Sequence, residues 1–170
     1  MKSSEPLVDA FGRIREVVHS VVDGLDPEAL STRPLGAGNS VAWLVWHLTR
    51  IQDDHLADAG GFEQTYVADG WHQRLGLPFD PADTGYGHTA VQVAAVRVST
   101  GDLLTGYHDA VHERTVDYLK GLSDEDLDRI VDRRWNPPVT LGVRLVSVIS
   151  DDLQHAGQAA YVQGLLSARR

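Results

Sequence analysis

Apolar residues recur every three or four positions along four long stretches of this chain, and this spacing constrains the fold more than any other feature. The stretches cover residues 6–23, 40–58, 89–120 and 141–166. Each spans several turns of an amphipathic helix, which buries one apolar face and leaves the other in water. No segment shows a convincing alternation of period two. The pattern therefore predicts an all-α protein.

The residues at the helix boundaries support this prediction. The predicted N-caps of the second, third and fourth helices are Asn39 or Ser40, Thr89 and Thr140. The third helix, expected to run unbroken to about Lys120, contains Gly101 and Gly106, which can weaken or bend it.

Residues 60–88 form a long connecting segment that is rich in glycine, proline and aromatic residues. Connections of this length are uncommon unless they are functional, and the aromatic residues indicate that this one packs over the helices. Four long helices with one long crossover between helices two and three predict a four-helix bundle. The length of 170 residues suits a single domain over residues 1–170.

Composition limits the classes of function. The chain has 15 Lys and Arg against 24 Asp and Glu, a formal charge of −9, which argues against nucleic acid as a partner. It has no cysteine, so any thiol chemistry must use a thiol that a substrate brings. No apolar run is long enough to span a bilayer, and residues 1–6 lack the apolar stretch of a signal peptide. We therefore expect a cytoplasmic protein without a membrane partner.

An acid and a histidine stand four residues apart in the last helix, where a helix places them on one face. Asp151 and His155 share that face with core residues such as Leu145 and Val148, so both are expected to point inward. Burying an ionisable pair is costly unless something compensates for it. A metal ion would do so, since carboxylate and imidazole are common ligands of zinc. A buried hydrogen bond between the two side chains is the alternative explanation.

His47 is the best candidate for a third ligand. It lies at the edge of the apolar stripe of the second helix, and metal sites in bundles are built from inward-facing residues of facing helices. Asp152 competes with Asp151 for the role of acidic ligand. The four-residue spacing favours Asp151 and leaves Asp152 to orient an imidazole.

Two polar residues follow His47 on roughly the same side of its helix. Arg50 and Asp54 lie one and two turns further along, where they form either a solvated face or the wall of a pocket for a polar substrate. His108 and His112 stand four residues apart on the third helix without an apolar run around them, so we expect them to face solvent.

Three segments resemble the DinB-like superfamily of metal-binding four-helix proteins, and most closely its actinobacterial branch of mycothiol-dependent S-transferases. They are residues 38–48 (GNSVAWLVWHL), 77–88 (LPFDPADTGYGH) and 150–158 (SDDLQHAGQ). Many members of the superfamily carry histidine where this chain has Asp151, whereas the related mycothiol-dependent maleylpyruvate isomerases use an acid there. The resemblance thus implies a metal bound by His47, Asp151 and His155, with a carboxylate that is a harder ligand than imidazole.

The function that this resemblance implies is a metal-dependent transfer of a thiol. Three protein ligands leave a fourth position of a zinc ion open, and the thiol of mycothiol would lose its proton there and attack an electrophile. Because this mechanism brings its own nucleophile, it suits a chain without cysteine. Arg50, Asp54 and the connecting segment are the candidates for binding the mycothiol cofactor, and no catalytic residue beyond the metal ligands is predicted.

Two other functions fit the same residues. The metal could activate water in a hydrolase or an isomerase, or the bundle could be a non-catalytic binding protein of a stress response. The expected partners are a small-molecule thiol and an electrophile, and the exposed faces of a bundle also allow a homodimer.

Overall fold

Four long helices form the bundle that the apolar spacing predicts. A computed structural model of the protein describes residues 3–168. The long helices are α1 (Ser4–Val22), α3 (Val41–Gly60), α7 (Gly101–Lys120) and α8 (Leu141–Ser167), and the short ones are α2 (Pro27–Ser31), α4 (Thr65–Ala68), α5 (Trp71–Leu75) and α6 (Ala90–Ala95). Helices α1 and α3 each pack against both α7 and α8, so they lie diagonally across the bundle from one another. The predicted all-α fold is confirmed.

Local capping explains where the helices begin and end. Ser40, Thr89 and Thr140 cap α3, α6 and α8 as predicted, and each side chain accepts a hydrogen bond from the backbone N–H three residues further on. Gly61 ends α3 in the left-handed conformation with a φ of 69°. Residue chemistry at the helix ends thus accounts for the starts of α3, α6 and α8 and for the end of α3.

The prediction of one unbroken third helix is wrong. Helix α6 ends at Ala95 and α7 begins at Gly101, with an extended stretch between them. In that stretch Val96 and Val98, two residues apart, both reach the core and are at most 5% exposed. Gly106 does not break α7; a Cβ there would lie 2.9 Å from the ring of Trp71, so glycine allows that ring to pack closely.

A short hairpin also departs from the expected absence of strands. Strands β1 (Ile130–Asp132) and β2 (Val139–Thr140) pair antiparallel, with Ile130 opposite Thr140. Strands of two and three residues are too short to produce a visible alternation in the sequence.

The connecting segment packs onto α3 and α7 through a buried carboxylate. Asp53 is 2% exposed and accepts hydrogen bonds from the backbone N–H groups of Thr65 and Tyr66, at 2.9 and 2.8 Å. The hydroxyl of Tyr107 donates a third, at 2.8 Å. Burial raises the pKa of the Asp53 carboxyl, and the three donors oppose that shift. The aromatic residues Tyr66 and Trp71 are buried, as the composition of the segment indicates.

Among the helices described between residues 3 and 168, none combines the length and the apolar character that crossing a bilayer requires.

Candidate metal centre

His47, Asp151 and His155 converge between α3 and α8. One potential ligand atom from each residue lies within 4.8 Å of the other two. His155 Nε2 is 3.7 Å from Asp151 Oδ1, and the rings of His47 and His155 meet edge to face with their centroids 4.8 Å apart. The structure therefore brings together the three residues that the sequence predicts as metal ligands.

The three side chains lie at different depths. His47 is 5% exposed, whereas the side chain of His155 is 18% and that of Asp151 is 41% exposed. The expectation that the Asp151–His155 pair points fully inward is therefore corrected for Asp151, which lies at the rim of the site. The cluster thus extends from the buried His47 to the surface of the bundle at Asp151.

The connecting segment sets the orientation of His47. His47 Nδ1 lies 2.6 Å from the carbonyl oxygen of Thr84, and since a carbonyl can only accept, Nδ1 carries the proton. The Nε2 lone pair is then available to a metal. The indole of Trp43 stacks on the imidazole with a centroid distance of 4.6 Å.

Gly85 allows the backbone to come this close to His47. Its φ of +87° lies in the left-handed region, and a Cβ at this position would lie 2.8 Å from the ring of Trp46 and 3.0 Å from His47 Nδ1. A side chain at residue 85 would thus press on the predicted ligand itself.

A chain of hydrogen bonds holds the same stretch of backbone in place. Trp43 Nε1 donates to His88 Nδ1 at 3.1 Å, so the proton of a neutral His88 lies on Nε2, which faces Asp83 at 3.1 Å. Asp83 in turn accepts the N–H of Gly85 at 2.7 Å. Burial opposes ionisation of Asp83, but these donors outweigh it and the pKa of the carboxyl is lowered. His88 thus ties the connecting segment to α3.

His155 has its own orienting partner. Its Nδ1 lies 3.1 Å from Gln158 Oε1, an acceptor, which places the proton on Nδ1 and turns Nε2 towards Asp151. Gln158 belongs to the segment whose resemblance to the DinB-like superfamily is evident, but its role was not predicted. The role of Thr84 was not visible at all, because a backbone carbonyl leaves no signal in the sequence.

The donor set and its electrostatics fit a divalent cation. Asp151 Oδ2 is buried and has no hydrogen-bond partner among residues 3–168, as expected of an oxygen that faces an ion. Burial lowers the pKa of His47, so its imidazole is neutral near pH 7 and can bind metal. Two imidazole nitrogens and one carboxylate oxygen form a ligand set found in catalytic zinc sites.

Asp152 does not have the role that the sequence suggested for it. Its side chain is completely buried, and neither of its oxygens has a hydrogen-bond partner in the described part of the chain. Burial first, and the neighbouring Asp151 carboxylate second, raise its pKa well above the usual value. The prediction that Asp152 orients an imidazole is therefore wrong; Thr84 and Gln158 do so instead.

Arg50 is fully buried beneath the connecting segment. Its guanidinium donates to the carbonyl oxygens of Asp83 and Pro81, to Gln64 Oε1 and to the hydroxyl of Tyr107 at 2.8–3.2 Å. These bonds give Arg50 a structural role in holding the segment over α3. Its predicted contact with a cofactor stays a prediction.

Asp54 keeps 38% of its side chain exposed and accepts a hydrogen bond from Gln64 Nε2 at 2.8 Å. It lines a recess beyond the metal cluster, so it can contact a ligand directly.

His108 corrects a further expectation. It is completely buried, and its Nδ1 lies 3.1 Å from the hydroxyl of Thr49. That hydroxyl donates to the carbonyl of Val45, so it accepts from His108. Burial, with a smaller effect of His112, lowers the pKa of His108 to about 3. The expectation of a solvated residue failed because α7 is enclosed by α1 and α3, which the pattern of α7 alone does not reveal.

Comparisons with known proteins agree with this architecture. The family model described as the DinB superfamily matches residues 10–159. Among solved structures, one described as the crystal structure of the conserved protein of a locus from Enterococcus faecalis is similar over 99% of each chain, with a TM-score of 0.92 and 29% sequence identity. A comparison with curated proteins found no match.

Proposed function

This chain belongs to the DinB superfamily, which includes metal-dependent enzymes, and on that premise we propose that it is a metal-dependent S-transferase. His47, Asp151 and His155 would hold a divalent metal, with zinc favoured by the ligand set. The thiol would be mycothiol, the co-substrate of the branch that the sequence resembles, and the second substrate an electrophile.

One observation carries this proposal: three potential ligand atoms lie within 4.8 Å of one another, and one of the three residues, Asp151, has a half-exposed side chain. When bound there, a metal supplies a Lewis acid that favours the deprotonated form of a thiol at neutral pH. Thr84 and Gln158 keep the imidazole protons on the Nδ1 atoms, so both histidines present Nε2 lone pairs to the cluster.

The chain itself contributes no nucleophilic sulfur, because it has no cysteine. In a reaction with monochlorobimane, the sulfur of mycothiol would form the new C–S bond as the C–Cl bond breaks. Chloride leaves, and the thiol proton passes to water. The tasks left to the protein are binding, orientation and control of protonation.

Metal analysis tests the site first. Wild type is expected to hold about one equivalent of metal per chain, and His47→Ala and His155→Ala are expected to lose it. His72→Ala changes a histidine on α5 that is not part of the cluster, so it serves as the matched control and should keep the metal. Equal and negligible metal content in all four proteins would refute the proposed metal site.

Turnover tests the chemistry. The metal-loaded protein, mycothiol and monochlorobimane should give a fluorescent conjugate faster than the uncatalysed reaction, and His155→Ala should abolish the difference. Rates at the uncatalysed level with a panel of electrophiles would overturn the S-transferase proposal.

A hydrolase or isomerase of the same fold is the second candidate. The exposure of the Asp151 side chain favours it, because water reaches the cluster from the same side as a thiol. Turnover that does not depend on added thiol would identify this alternative. Bound metal without turnover of either kind would favour a non-catalytic binding protein.

A further inference from the structure

A polar recess lies at the end of α3, where the start of α8 and the β1–β2 hairpin approach it. Its volume is about 530 Å³. The polar side chains that line it include Asp54, His55, Gln64, Arg134 and Arg144.

The recess continues the interface that holds the metal cluster. Arg144 Nη1 on α8 lies 3.4 Å from His55 Nδ1 on α3, just as His155 lies opposite His47, so the two helices run antiparallel past both places. Arg144 precedes Asp151 by seven residues, a separation of about 10 Å along a helix.

The side chains of the recess offer both donors and acceptors of hydrogen bonds. A guanidinium can only donate, so His55 Nδ1 accepts from Arg144 and a neutral His55 carries its proton on Nε2. Asp54 and Asp58 add carboxylate oxygens on the same wall.

The charges of the recess argue against an anionic ligand. Arg134 and Arg144 both pair with Asp132, at 2.8 and 3.0 Å. The remaining carboxylates, Asp54 and Asp58, would repel a phosphate or a second carboxylate. The mixture instead suits a ligand with many hydroxyl groups, each of which both donates and accepts.

We propose that this recess binds the hydroxyl-rich body of the thiol co-substrate while its sulfur lies at the metal cluster, an assignment that rests on the proposed function. The distance of about 10 Å between the recess and the metal cluster then favours a thiol that is long enough to reach both. Cysteine, a single residue, spans only about 3.5 Å, so it reaches the cluster but not the recess. A thiol joined to a sugar-like body engages both.

Kinetics of the metal-loaded full-length protein test the assignment. Asp54→Asn and His55→Gln are each expected to lower the ratio of kcat/KM for mycothiol to kcat/KM for cysteine about tenfold, because each weakens one hydrogen bond to the ligand. If cysteine gives no turnover, the KM for mycothiol is expected to rise by the same factor. Asp117→Asn, the same change of charge on an exposed position of α7, is the matched control and should change neither quantity.

A ligand without sulfur separates this assignment from the proposed function. The N-acetylated glucosaminyl-inositol pseudodisaccharide, which like mycothiol has no free amine, should bind the metal-loaded protein in calorimetry, and Asp54→Asn should weaken this binding about tenfold. If turnover depends on thiol but the ratio of kcat/KM for mycothiol to kcat/KM for cysteine is unchanged in both recess variants, the assignment of the recess is overturned. The S-transferase proposal is then unaffected. Absence of thiol-dependent turnover would overturn the S-transferase; pseudodisaccharide binding that Asp54→Asn weakens would then still support the recess. If the pseudodisaccharide does not bind at millimolar concentration, the assignment of the recess is overturned.

Discussion

Gly85→Ala is expected to damage the metal site through His47, although residue 85 offers no ligand atom. A Cβ at this position would lie 2.8 Å from the Trp46 ring and 3.0 Å from His47 Nδ1. The backbone must therefore move away, which lengthens the 2.6 Å hydrogen bond between His47 and the Thr84 carbonyl. Because that bond sets the position of the imidazole proton, the substitution acts on the ligand directly.

The magnitude follows from two separate costs. A side chain at a left-handed φ costs about 1 kcal/mol, and overpacking against rigid rings costs about 2 kcal/mol. Gly87→Ala provides the matched control: its φ is +75°, but a Cβ there meets nothing within 4 Å. Gly87→Ala should therefore lose only the stability that the left-handed φ costs. Gly85→Ala should also lose the stability that overpacking costs. The difference of about 2 kcal/mol corresponds to a gap of about 4–8 °C in Tm.

Two measurements check this reasoning. The difference in Tm between the metal-free Gly85→Ala and Gly87→Ala proteins reports the cost of overpacking, because both variants share the cost of a positive φ. Competition for zinc against a chromophoric chelator reports the effect on the ligand, where the loss of an orienting partner typically lowers affinity about 10–100-fold. If the Gly85→Ala and Gly87→Ala proteins melt together and bind zinc equally, the argument that the connecting segment positions His47 is refuted.

Three further outcomes are expected. Asp53→Ala leaves three donors and a buried guanidinium without their carboxylate, so urea denaturation should show a loss of about 3–5 kcal/mol. Tyr107→Phe, which removes one of the donors, should lower the free energy of unfolding by about 1 kcal/mol. Equal losses in Asp53→Ala and Tyr107→Phe would contradict the central role of the Asp53 carboxylate in these hydrogen bonds. His108 has a pKa of about 3 in the folded state against about 6.5 when unfolded. The unfolded chain therefore takes up the proton first as pH falls, and stability is lost between these values at up to about 1.4 kcal/mol per pH unit. His108→Gln should flatten that decline in unfolding measurements at pH 7 and pH 5, and an unchanged slope would rule out this histidine as its source. Removing metal with a chelator should lower the Tm of wild type, since a ligand at 100 times its Kd stabilises by about 2.7 kcal/mol. The Tm of His155→Ala should not move, and a parallel shift in both proteins would place the metal elsewhere.

The predictions that succeeded concern local patterns. Ser40, Thr89 and Thr140 cap helices because their side chains reach a backbone N–H three residues away, an interaction that needs no distant partner. The pairing of Asp151 with His155 likewise needs only the pitch of one helix.

The predictions that failed concern burial by distant segments. His108 looked solvated because its own helix has no apolar run around it, yet neighbouring helices enclose it. Residues 96–98 were expected to belong to the third helix, but the core accepts Val96 and Val98 from an extended stretch between α6 and α7. Neither the burial of His108 nor the extended conformation around Val96 and Val98 can be predicted from the few residues on either side of them.

The sequence by itself determined which residues could bind a metal and which helix faces carry them, because helical spacing is a local property. Only the tertiary structure decided that Asp151 joins His47 and His155 while its neighbour Asp152 is sealed in the core without a partner. It also decided, through the Thr84 carbonyl, which nitrogen of His47 faces the cluster. The physical reason is that burial and backbone hydrogen bonds depend on segments far apart in the chain, which meet only when the bundle closes.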